Sequence, residues 1–442
     1  MPGKLLQIEL NEFDPAFLAE EARRLGLRNI ERFLAFDHSR TTTSDRVEHH
    51  GLDPWVQWVN VHTGSPSAAH GIKRLGETKS QTAPQIWEAV AGSGRRWMAW
   101  GVMNAPMGSA PGCEAFLPDP WSFDEAPHPE ELGDFLALPR YVARNYLEFS
   151  RAEAFAQFVR FIRYVAPPAH WPTVARLAQR AVRGAFSPGV DLHSLTTLFD
   201  YLSALEFTRV KKKARPDYAV IFLNHIAHLQ HQFWTANDGL HPQMRFGLEI
   251  CDLIMGMLLD ACAADEAVIV MNGLKQKNVA GQGFYVYRQI NPATMAAALL
   301  GEAPLGVEPC MTNDAHLKFD TPAQADAAAA TLSAATLSDG ERLFFVERIA
   351  PEQVFLQLDI ERHVASDATI NCNGAIFKFY ELFELVCERT GAHIPIGDVY
   401  SKGIELPKSL ENHVIYDHVL SHFNVTPRRQ IAAVAEAAGG AS

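Results

Sequence analysis

The 442-residue sequence lacks several features that mark common classes of protein. It has no excess of positive charge: the formal net charge is −12, which argues against a general nucleic-acid binder because such proteins need clustered Lys and Arg. Its six cysteines show neither a C-x-x-C pair nor zinc-knuckle spacing, and we interpret them as reduced, mostly buried thiols. Cysteine chemistry is therefore not the predicted function.

Long apolar runs are also absent. No window reaches the roughly 18 uninterrupted apolar residues of a membrane-spanning helix. The first residues have neither the basic region nor the apolar core of a secretion signal. We therefore expect a soluble, cytoplasmic protein with no membrane span. A Rossmann dinucleotide enzyme is excluded because no Gly-rich phosphate loop follows the first predicted strand.

Strand and helix patterns alternate along much of the chain. The runs that predict buried strands of the core are residues 4–10, 96–102, 217–223 and 267–271. Strand, helix and strand in succession indicate right-handed crossovers and therefore a mostly parallel sheet. The segments that we assign to one α/β core are residues 1–127, 215–290 and 361–427.

Two segments interrupt this core. Residues 128–214 carry apolar side chains at helical spacing, and we interpret them as a helical insertion or cap. Residues 291–360 contain an alanine-rich helix at 323–335 between two strand-like stretches, which predicts a small α+β insertion without a catalytic role. Residues 428–442 are rich in Ala and Gly and are predicted to form a flexible tail.

Five separated segments carry polar side chains beside the predicted strand ends. In chain order they read IELNEFDP at 8–15, PWVQWVNVHTG at 54–64, NHIAHLQHQFW at 224–234, VMNGL at 270–274 and GAHIPIG at 391–397. Together they resemble the alkaline-phosphatase-like superfamily, and within it the type I phosphodiesterase and nucleotide pyrophosphatase family. The resemblance implies an α/β three-layer sandwich with a mostly parallel central sheet, to which this chain adds its two insertions.

Several positions at which this family binds two divalent cations hold other residues here. Asn11, Asn272 and Gly273 stand where the resemblance implies metal ligands, and Ala227 stands where it implies an Asp. A neutral Asn offers an oxygen but cancels none of a metal's charge. The site on the nucleophile side therefore cannot be assembled in the family's usual way.

The second implied metal site keeps two of its ligands, His231 and His393. Two imidazoles need at least one more protein ligand for a catalytic zinc centre, and either His228 or a carboxylate such as Glu9 is a candidate. The alternative for His228 is an ordinary hydrogen-bonded histidine. We predict a divalent metal, zinc or manganese, at one site at most.

The family's Thr or Ser nucleophile has no counterpart in this chain. The resemblance places it shortly before the Thr-Gly pair, where the chain has Asp53 followed by Pro54. Attack by metal-activated water would make a hydroxyl unnecessary, because a bound divalent cation can lower the pKa of water to near neutrality.

The remaining candidates lie beside the same predicted strand ends. The predicted catalytic residues are Asn11, Asp53, Gln57 and Asn272. The predicted substrate-binding residues are Glu9, Glu12, His62, Asn104 and Gln276. Alternation places Glu9 and Asn11 on one side of the first strand, and Glu9 is either a pocket residue or a buried carboxylate bonded to an internal partner.

Two functions of different classes are compatible with this sequence. The leading hypothesis is a divergent phospho- or sulfo-ester hydrolase or transferase acting on a small-molecule ester, including sugar- and nucleotide-linked ones. The alternative is a pseudoenzyme that binds a phosphorylated ligand, a glycan or a partner protein without chemistry. The replaced ligand positions motivate the second hypothesis, and the polar residues that remain at the strand ends motivate the first.

Overall fold

The computed structural model describes residues 3–46, 51–147, 149–165, 192–237, 239–311 and 313–426. Within these residues the chain forms one large sheet, several small sheets and fourteen helices. The predicted tail at 428–442 lies outside the described residues, as does the part of the helical insertion at 166–191. None of the described helices is long and apolar enough to cross a membrane.

The strands of the protein are short. In chain order they are β1 (Leu5–Leu10), β2 (Asp37–Thr42), β3 (Trp97–Val102), β4 (Cys113–Pro118), β5 (Tyr218–Leu223), β6 (Ala267–Met271), β7 (Lys275–Asn278), β8 (Tyr285–Gln289), β9 (Gly306–Pro309), β10 (Asp314–Lys318), β11 (Thr336–Leu337), β12 (Phe344–Ala350), β13 (Gln353–Leu358), β14 (Thr369–Cys372), β15 (Ala375–Lys378), β16 (Phe383–Glu388), β17 (Gly391–Ile394), β18 (Ile396–Lys402) and β19 (Ser409–Glu411).

The helices vary more in length. In chain order they are α1 (Pro15–Leu25), α2 (Arg28–Leu34), α3 (Pro54–Thr63), α4 (Ser67–His70), α5 (Ile86–Ala91), α6 (Leu132–Asn145), α7 (Arg151–Val165), α8 (Leu192–Ala214), α9 (His225–Phe233), α10 (Pro242–Asp260), α11 (Pro292–Leu300), α12 (Pro322–Ser333), α13 (Phe379–Leu382) and α14 (Ile415–His422).

The large sheet has eight strands in the order β19-β2-β18-β6-β1-β5-β3-β4. From β6 to β4 all neighbours are parallel, whereas β18 is antiparallel to both β6 and β2. The predicted α/β class with a mostly parallel central sheet is therefore confirmed. The sequence did not show the antiparallel side of the sheet, because the polar strand β2 lacks an apolar run.

Strand β1 lies in the middle of the sheet, between β6 and β5, and every one of its side chains is buried. Leu5 pairs with Tyr218 of β5 on one side and with Ala267 of β6 on the other. All three strands are buried along their whole length. Burial on both faces is typical of parallel strands covered by helices, and it explains their nearly continuous apolar runs.

Helices cover both faces of the sheet and make three layers. Leu6, Ile8 and Leu10 of β1 belong to a hydrophobic cluster that includes buried residues of α1, α2, α9 and α10. Leu5 belongs to the opposite cluster, which includes buried residues of α3, α5 and α14. The alternation along β1 thus separates the two halves of the core.

The described part of the predicted helical insertion consists of α6, α7 and α8. Phe135 of α6, Phe161 of α7 and Phe207 of α8 join the same hydrophobic cluster as α1 and α10. These helices therefore pack directly on the core, as a continuation of one helical layer.

A third hydrophobic cluster forms a small α+β unit. Its buried residues run from Tyr287 to Phe383, so it reaches beyond the predicted 291–360 at each end. The cause is the pairing of β8 with β16, which joins residues from before and after the predicted segment. The predicted alanine-rich helix is α12, and β10 and β12 flank it.

Candidate functional site

The carboxyl ends of the three central strands bring polar side chains together at one edge of the sheet. Strands β1, β5 and β6 are each followed directly by an amide residue, namely Asn11, Asn224 and Asn272. The Asn11 N–H donates to the carbonyl of Leu223 at 2.9 Å, and the Glu12 N–H donates to the carbonyl of Asn272 at 3.2 Å. Open α/β sheets bind their ligands at this edge.

Glu12 lies in the turn after β1 with a φ of 56°. A residue with a side chain adopts this left-handed region only when its surroundings hold it there. Here the carbonyl of Glu12 accepts hydrogen bonds from the Gln276 N–H at 3.2 Å and from Nε2 of Gln230 at 2.9 Å. These contacts fix the direction in which the Glu12 side chain points.

The carboxylate of Glu12 meets the rings of His231 and His393. Its Oε2 lies 3.0 Å from Nε2 of His231 and 2.9 Å from Nε2 of His393. The two rings pack edge to face, with centroids 5.1 Å apart. One donor atom from each of the three residues lies within 4.8 Å of the other two. We call Glu12, His231 and His393 the cation cluster.

Helix α9 carries His231, and a buried carboxylate anchors the start of this helix. Oδ2 of Asp200 accepts hydrogen bonds from the backbone N–H groups of Asn224 and His225, each at 2.7 Å. It also accepts from Nδ1 of His225 at 2.8 Å. Because an orphan N–H pair at a helix start is satisfied in this way, α9 begins at a fixed place directly after β5.

Strand β17 carries His393 and pairs with β7. Gly391 begins β17, and a Cβ added there would lie 1.8 Å from Oε1 of Gln276. The absence of a side chain at Gly391 therefore lets β17 pack closely against Gln276 of β7. The carbonyl of Gly391 lies 3.3 Å from Nδ1 of His231, which sets the orientation of that ring.

Two neutral side chains orient the Glu12 carboxylate. Nε2 of Gln276 donates to Oε2 at 2.5 Å, and Nδ2 of Asn11 donates to Oε1 at 2.8 Å. The same Nε2 of Gln276 donates to the carbonyl of Ala227 at 3.1 Å. Ala227 is the position at which the resemblance implies a metal-binding Asp. Glu12 thus supplies a carboxylate beside His231 from a different part of the chain.

The electrostatics of the cluster favour an ionised Glu12, and burial opposes charge on His231. Burial raises the pKa of Glu12, but the charges of His393 and His231 outweigh burial and hold that pKa well below its ordinary value. Burial lowers the pKa of His231. Burial also opposes charge on His393, yet the nearby Glu12 carboxylate leaves the pKa of His393 raised.

A neutral His231 cannot satisfy both of its polar contacts with one proton. If Nδ1 donates to the carbonyl of Gly391, then Nε2 presents a lone pair to the Glu12 carboxylate at 3.0 Å. A cation between Nε2 and the carboxylate removes this conflict. A glutamate and two histidines are also a ligand set of catalytic zinc sites, which keep a fourth position open. The residues present therefore fit a divalent cation, with Gly391, Gln276 and Asn11 orienting its ligands.

A cleft of ≈ 400 Å³ opens beside the cation cluster. One wall comes from the core segment before α3, and the opposite wall comes from the α+β unit at the start of β8. The lining residues are Arg46, Gly51, Leu52, Asp53, Phe284, Tyr285, Val286, Glu361, Arg389, Ala392 and His393. His393 therefore belongs both to the cation cluster and to the cleft.

Asp53 faces this cleft from the N-cap position of α3 and has no side-chain capping bond. Burial raises the pKa of Asp53 to about 7, although His393 acts in the opposite direction. A carboxyl group with a pKa near neutrality can take up or release a proton at physiological pH. Asp53 is thus a group in the cleft that can carry a proton.

Comparison with known proteins gives matches among solved structures alone. No family model matches the chain, and no curated protein matches it by sequence. The structure matches phosphonoacetate hydrolase from Sinorhizobium meliloti 1021 in complex with phosphonoformate, at 14% identity and a TM-score of 0.43 over 96% of each chain. The complex of that enzyme with phosphonoacetate matches at 14% identity and a TM-score of 0.41 over 96% of each chain.

A second protein among these matches is murine ectonucleotide pyrophosphatase / phosphodiesterase 5. It matches at 10% identity and a TM-score of 0.43, again over 96% of each chain. At such low identities and TM-scores these matches leave the chemistry of this chain to its own residues.

The structure brings together several residues that the sequence singled out. Asn11, Glu12, Gln276, His231 and His393 contact one another around the cation cluster. Segments that are remote along the chain therefore do converge at one edge of the sheet. The third residue of the cluster is Glu12, which the sequence suggested as a substrate-binding residue.

His228 and Glu9, the candidates for a third ligand, lie elsewhere. His228 is not among the donors of the cation cluster, and its Nε2 lies 3.2 Å from Nδ2 of Asn224. Glu9 is fully buried and bonds to Nε2 of His62 at 2.8 Å and to Nε2 of Gln7 at 2.7 Å. The structure thus gives Glu9 an internal partner, and it gives the predicted substrate-binding residue His62 the same buried contact.

Three other predicted site residues direct their polar atoms into the protein. Gln57 is fully buried, with Nε2 bonded to the carbonyl of Asp45 and Oε1 accepting from Asn412. Asn272 donates to the carbonyl of Phe13 and accepts from the Asp398 N–H. Asn104 accepts from the Gly76 N–H and donates to the carbonyl of Arg74. None of the three lines the cleft described above, because these bonds use their amide groups.

Arg389 and Phe284 line the cleft and were missed by the sequence reasoning. Arg389 precedes the Gly-x-His segment by two residues, so the alternation of an extended chain could have placed it on the same side as His393. No comparable signal pointed to Phe284, because the contact between β8 and β16 that positions it links distant parts of the chain.

Proposed function

We propose that this protein is a hydrolase of small anionic esters, phosphate or sulfate esters, that uses one divalent cation and attacking water. The observation that carries the proposal is the cation cluster, in which Glu12, His231 and His393 converge beside the ≈ 400 Å³ cleft. Zinc and manganese are the candidate metals. Sugar- and nucleotide-linked esters are the candidate substrates, and a cleft of this size accommodates a molecule of that class.

The ligands of the cation divide into a charged group and two imidazoles. Glu12 would supply one negative charge, and His231 and His393 would each supply Nε2. When bound, a divalent cation lowers the pKa of water and neutralises charge on the ester anion. Gln276 and Asn11 hold the Glu12 carboxylate in place by their hydrogen bonds, so the ligand does not have to reorganise during the reaction.

Asp53 would accept the proton of the attacking water. It lies at the start of α3, next to the position where the resemblance implies a hydroxyl nucleophile, and it faces the cleft. Its carboxyl group has no side-chain hydrogen bond or ion pair with another described residue. A carboxylate that is not engaged elsewhere can take a proton from water at the reacting group, which a committed carboxylate could not do.

The proposal is tested by metal content and turnover together. The purified protein is analysed for zinc and manganese and assayed with bis-p-nitrophenyl phosphate before and after chelation. We expect about one equivalent of metal per chain and turnover that chelation abolishes and metal restores. Glu12→Gln keeps the size of the side chain but removes its charge, so it should reduce metal content and activity together.

His413→Ala is a matched control for the metal ligands. His413 is partly exposed, lies 3.6 Å from a carboxylate oxygen of Glu411, and belongs neither to the cation cluster nor to the lining of the cleft. This variant should keep metal and turnover. A wild-type protein that binds no metal, or that binds metal and ester without consuming the ester, would remove the hydrolase and favour a binding protein.

A further inference from the structure

One wall of the cleft carries an arginine whose side chain is unpaired among the described residues. Arg389 lines the cleft together with His393 and Asp53. Its guanidinium group forms no hydrogen bond and no ion pair with any residue in the described part of the chain. Other partly buried arginines do have such partners, since Arg74 pairs with Glu77 and Arg288 pairs with Glu384.

The main chain fixes Arg389 relative to the cation cluster. The Arg389 N–H donates to the carbonyl of Phe284 at 2.7 Å, and the next N–H, that of Thr390, donates to the carbonyl of His231 at 2.7 Å. In an extended chain, side chains four residues apart, such as those of 389 and 393, point to the same side. The position of Arg389 is consistent with this, because Arg389 and His393 line the same cleft.

A partly buried guanidinium without a partner is costly in a protein that has no ligand for it. Its planar fork matches the oxygen atoms of phosphate and sulfate groups and binds them with charge-assisted hydrogen bonds. With a divalent cation bound at the cluster, the cleft would therefore offer an anionic ligand that cation beside His393 and the guanidinium of Arg389, in addition to the exposed Arg46.

We propose that Arg389 is the residue that selects an anionic substrate in this cleft. Its guanidinium binds an oxygen of the phosphate or sulfate group, while a divalent cation held by Glu12, His231 and His393 would neutralise charge on the same group. The organic part of the ester then lies against Phe284 and Tyr285, which neighbour Arg389 through the pairing of β8 with β16. This inference rests on the proposed function, since it names the chemistry by which the same cleft recognises its ester.

The experiment measures binding of inorganic phosphate, so it does not depend on turnover. Phosphate is titrated calorimetrically into the metal-loaded wild type, Arg389→Gln and Arg389→Lys. We expect Arg389→Gln to weaken phosphate binding roughly tenfold or more, because charge-assisted hydrogen bonds are lost. Arg389→Lys should recover part of the affinity, because it restores the charge without the fork.

Two controls separate recognition from a structural effect. Arg245→Gln removes an exposed arginine that pairs with Glu249 at 3.1 Å on α10, and it should leave phosphate binding unchanged. Metal content and the urea unfolding midpoint of the Arg389 variants should equal those of the wild type. Phosphate binding by a folded, metal-loaded Arg389→Gln as tight as by the wild type would overturn the inference.

Failure of this inference and failure of the hydrolase give different results. If the wild type turns over bis-p-nitrophenyl phosphate and Arg389→Gln binds phosphate equally well, then the hydrolase stands and Arg389 is not its anion-selecting residue. If the wild type turns over nothing but Arg389→Gln loses phosphate binding, the anion site stands and the hydrolase falls. If the hydrolase and the role of Arg389 are both correct, Arg389→Gln should raise KM for the phosphodiester. The KM for the neutral ester p-nitrophenyl acetate should stay unchanged.

Discussion

The polar side chains at the carboxyl end of the central strands form two groups that differ in their bonding partners. We call the cation cluster with Asp53 and Arg389 the cleft half, and Asn11 with Asn272 the amide half. On the cleft half, a neutral His231 has too few protons for its two polar contacts, and the side chains of Asp53 and Arg389 have no hydrogen-bond or ion-pair partner among the described residues. On the other half, Asn11 and Asn272 occupy positions where the resemblance implies metal ligands. Every amide group of those two residues is bonded within the protein.

The difference shows how amide side chains can fill one half with internal hydrogen bonds while the other half retains residues that could hold a cation. An amide has both a donor and an acceptor, so it can be absorbed into the core. Asn11 accepts from Nε1 of Trp58 at 2.7 Å, and Gly273 leaves room for Trp58, whose ring would lie 3.1 Å from an added Cβ. A carboxylate at Asn11 would have no donor for Glu12 or Asn224. The amides of Asn11 and Asn272 therefore use all their polar groups inside the protein, whereas the ionisable side chains lie in the cleft half.

The largest expected effect comes from the cleft half, at Asp53. Asp53→Asn keeps the shape but cannot accept a proton, and we expect turnover to fall about 100- to 10,000-fold, as for loss of a general base. A base works only when ionised, and the pKa of Asp53 is raised to about 7, so wild-type turnover should rise with pH up to about neutrality. Asp53→Asn should abolish this rise. A variant with an unchanged pH profile would show that Asp53 carries no proton.

Asp119 offers a matched control for this prediction. Burial raises its pKa to about 7 as well, but Asp119 lies in the buried loop after β4 and does not line the cleft. Asp119→Asn should leave the pH profile of turnover intact. Because the folded state holds this proton more tightly than the unfolded chain, stability contributed by Asp119 is present below about pH 4 and is lost toward pH 7. The variant should flatten that part of the stability curve.

Much of the core could be predicted because a strand that is buried on both faces has a nearly continuous apolar run in the sequence. The runs at β5 and β6 are apolar from end to end, and β1 is apolar except for Gln7 and Glu9. The pairing of β8 with β16 could not be predicted, because strands that are exposed on one side carry no such run. The extent of the α+β unit depends on that pairing.

The site could be predicted in part for the same physical reason. His231 and His393 occupy recognisable segments, so their convergence followed from the fold that the resemblance implied. Glu12 could not be identified as the third ligand, because its direction depends on a left-handed φ of 56° and on hydrogen bonds from Gln230 and Gln276. Arg389 could not be identified from the sequence, because what distinguishes it is that its side chain has no hydrogen-bond or ion-pair partner among the described residues.

A smaller effect is expected on the amide half, at Asn272. Asn272→Asp removes the donor to the carbonyl of Phe13 and buries a charge beside Asp398, so the free energy of unfolding should fall by about 3 kcal/mol. Urea denaturation of the metal-free protein measures this. Asn237→Asp is the control, because Asn237 is exposed and its Oδ1 acceptor is retained. A stable Asn272→Asp variant that bound a second equivalent of zinc would contradict the comparison.

The smallest expected effect distinguishes two glutamines that are equally buried. Gln276 donates to the Glu12 carboxylate, whereas Gln57 bonds to Asp45 and Asn412 away from the cleft. Gln276→Ala should weaken zinc binding roughly 10- to 100-fold, the usual consequence of removing a group that orients a metal ligand. Gln57→Ala should cost stability but leave zinc affinity unchanged. Competition with a chelator of known affinity measures both, and equal losses would mean that Gln276 acts through stability alone.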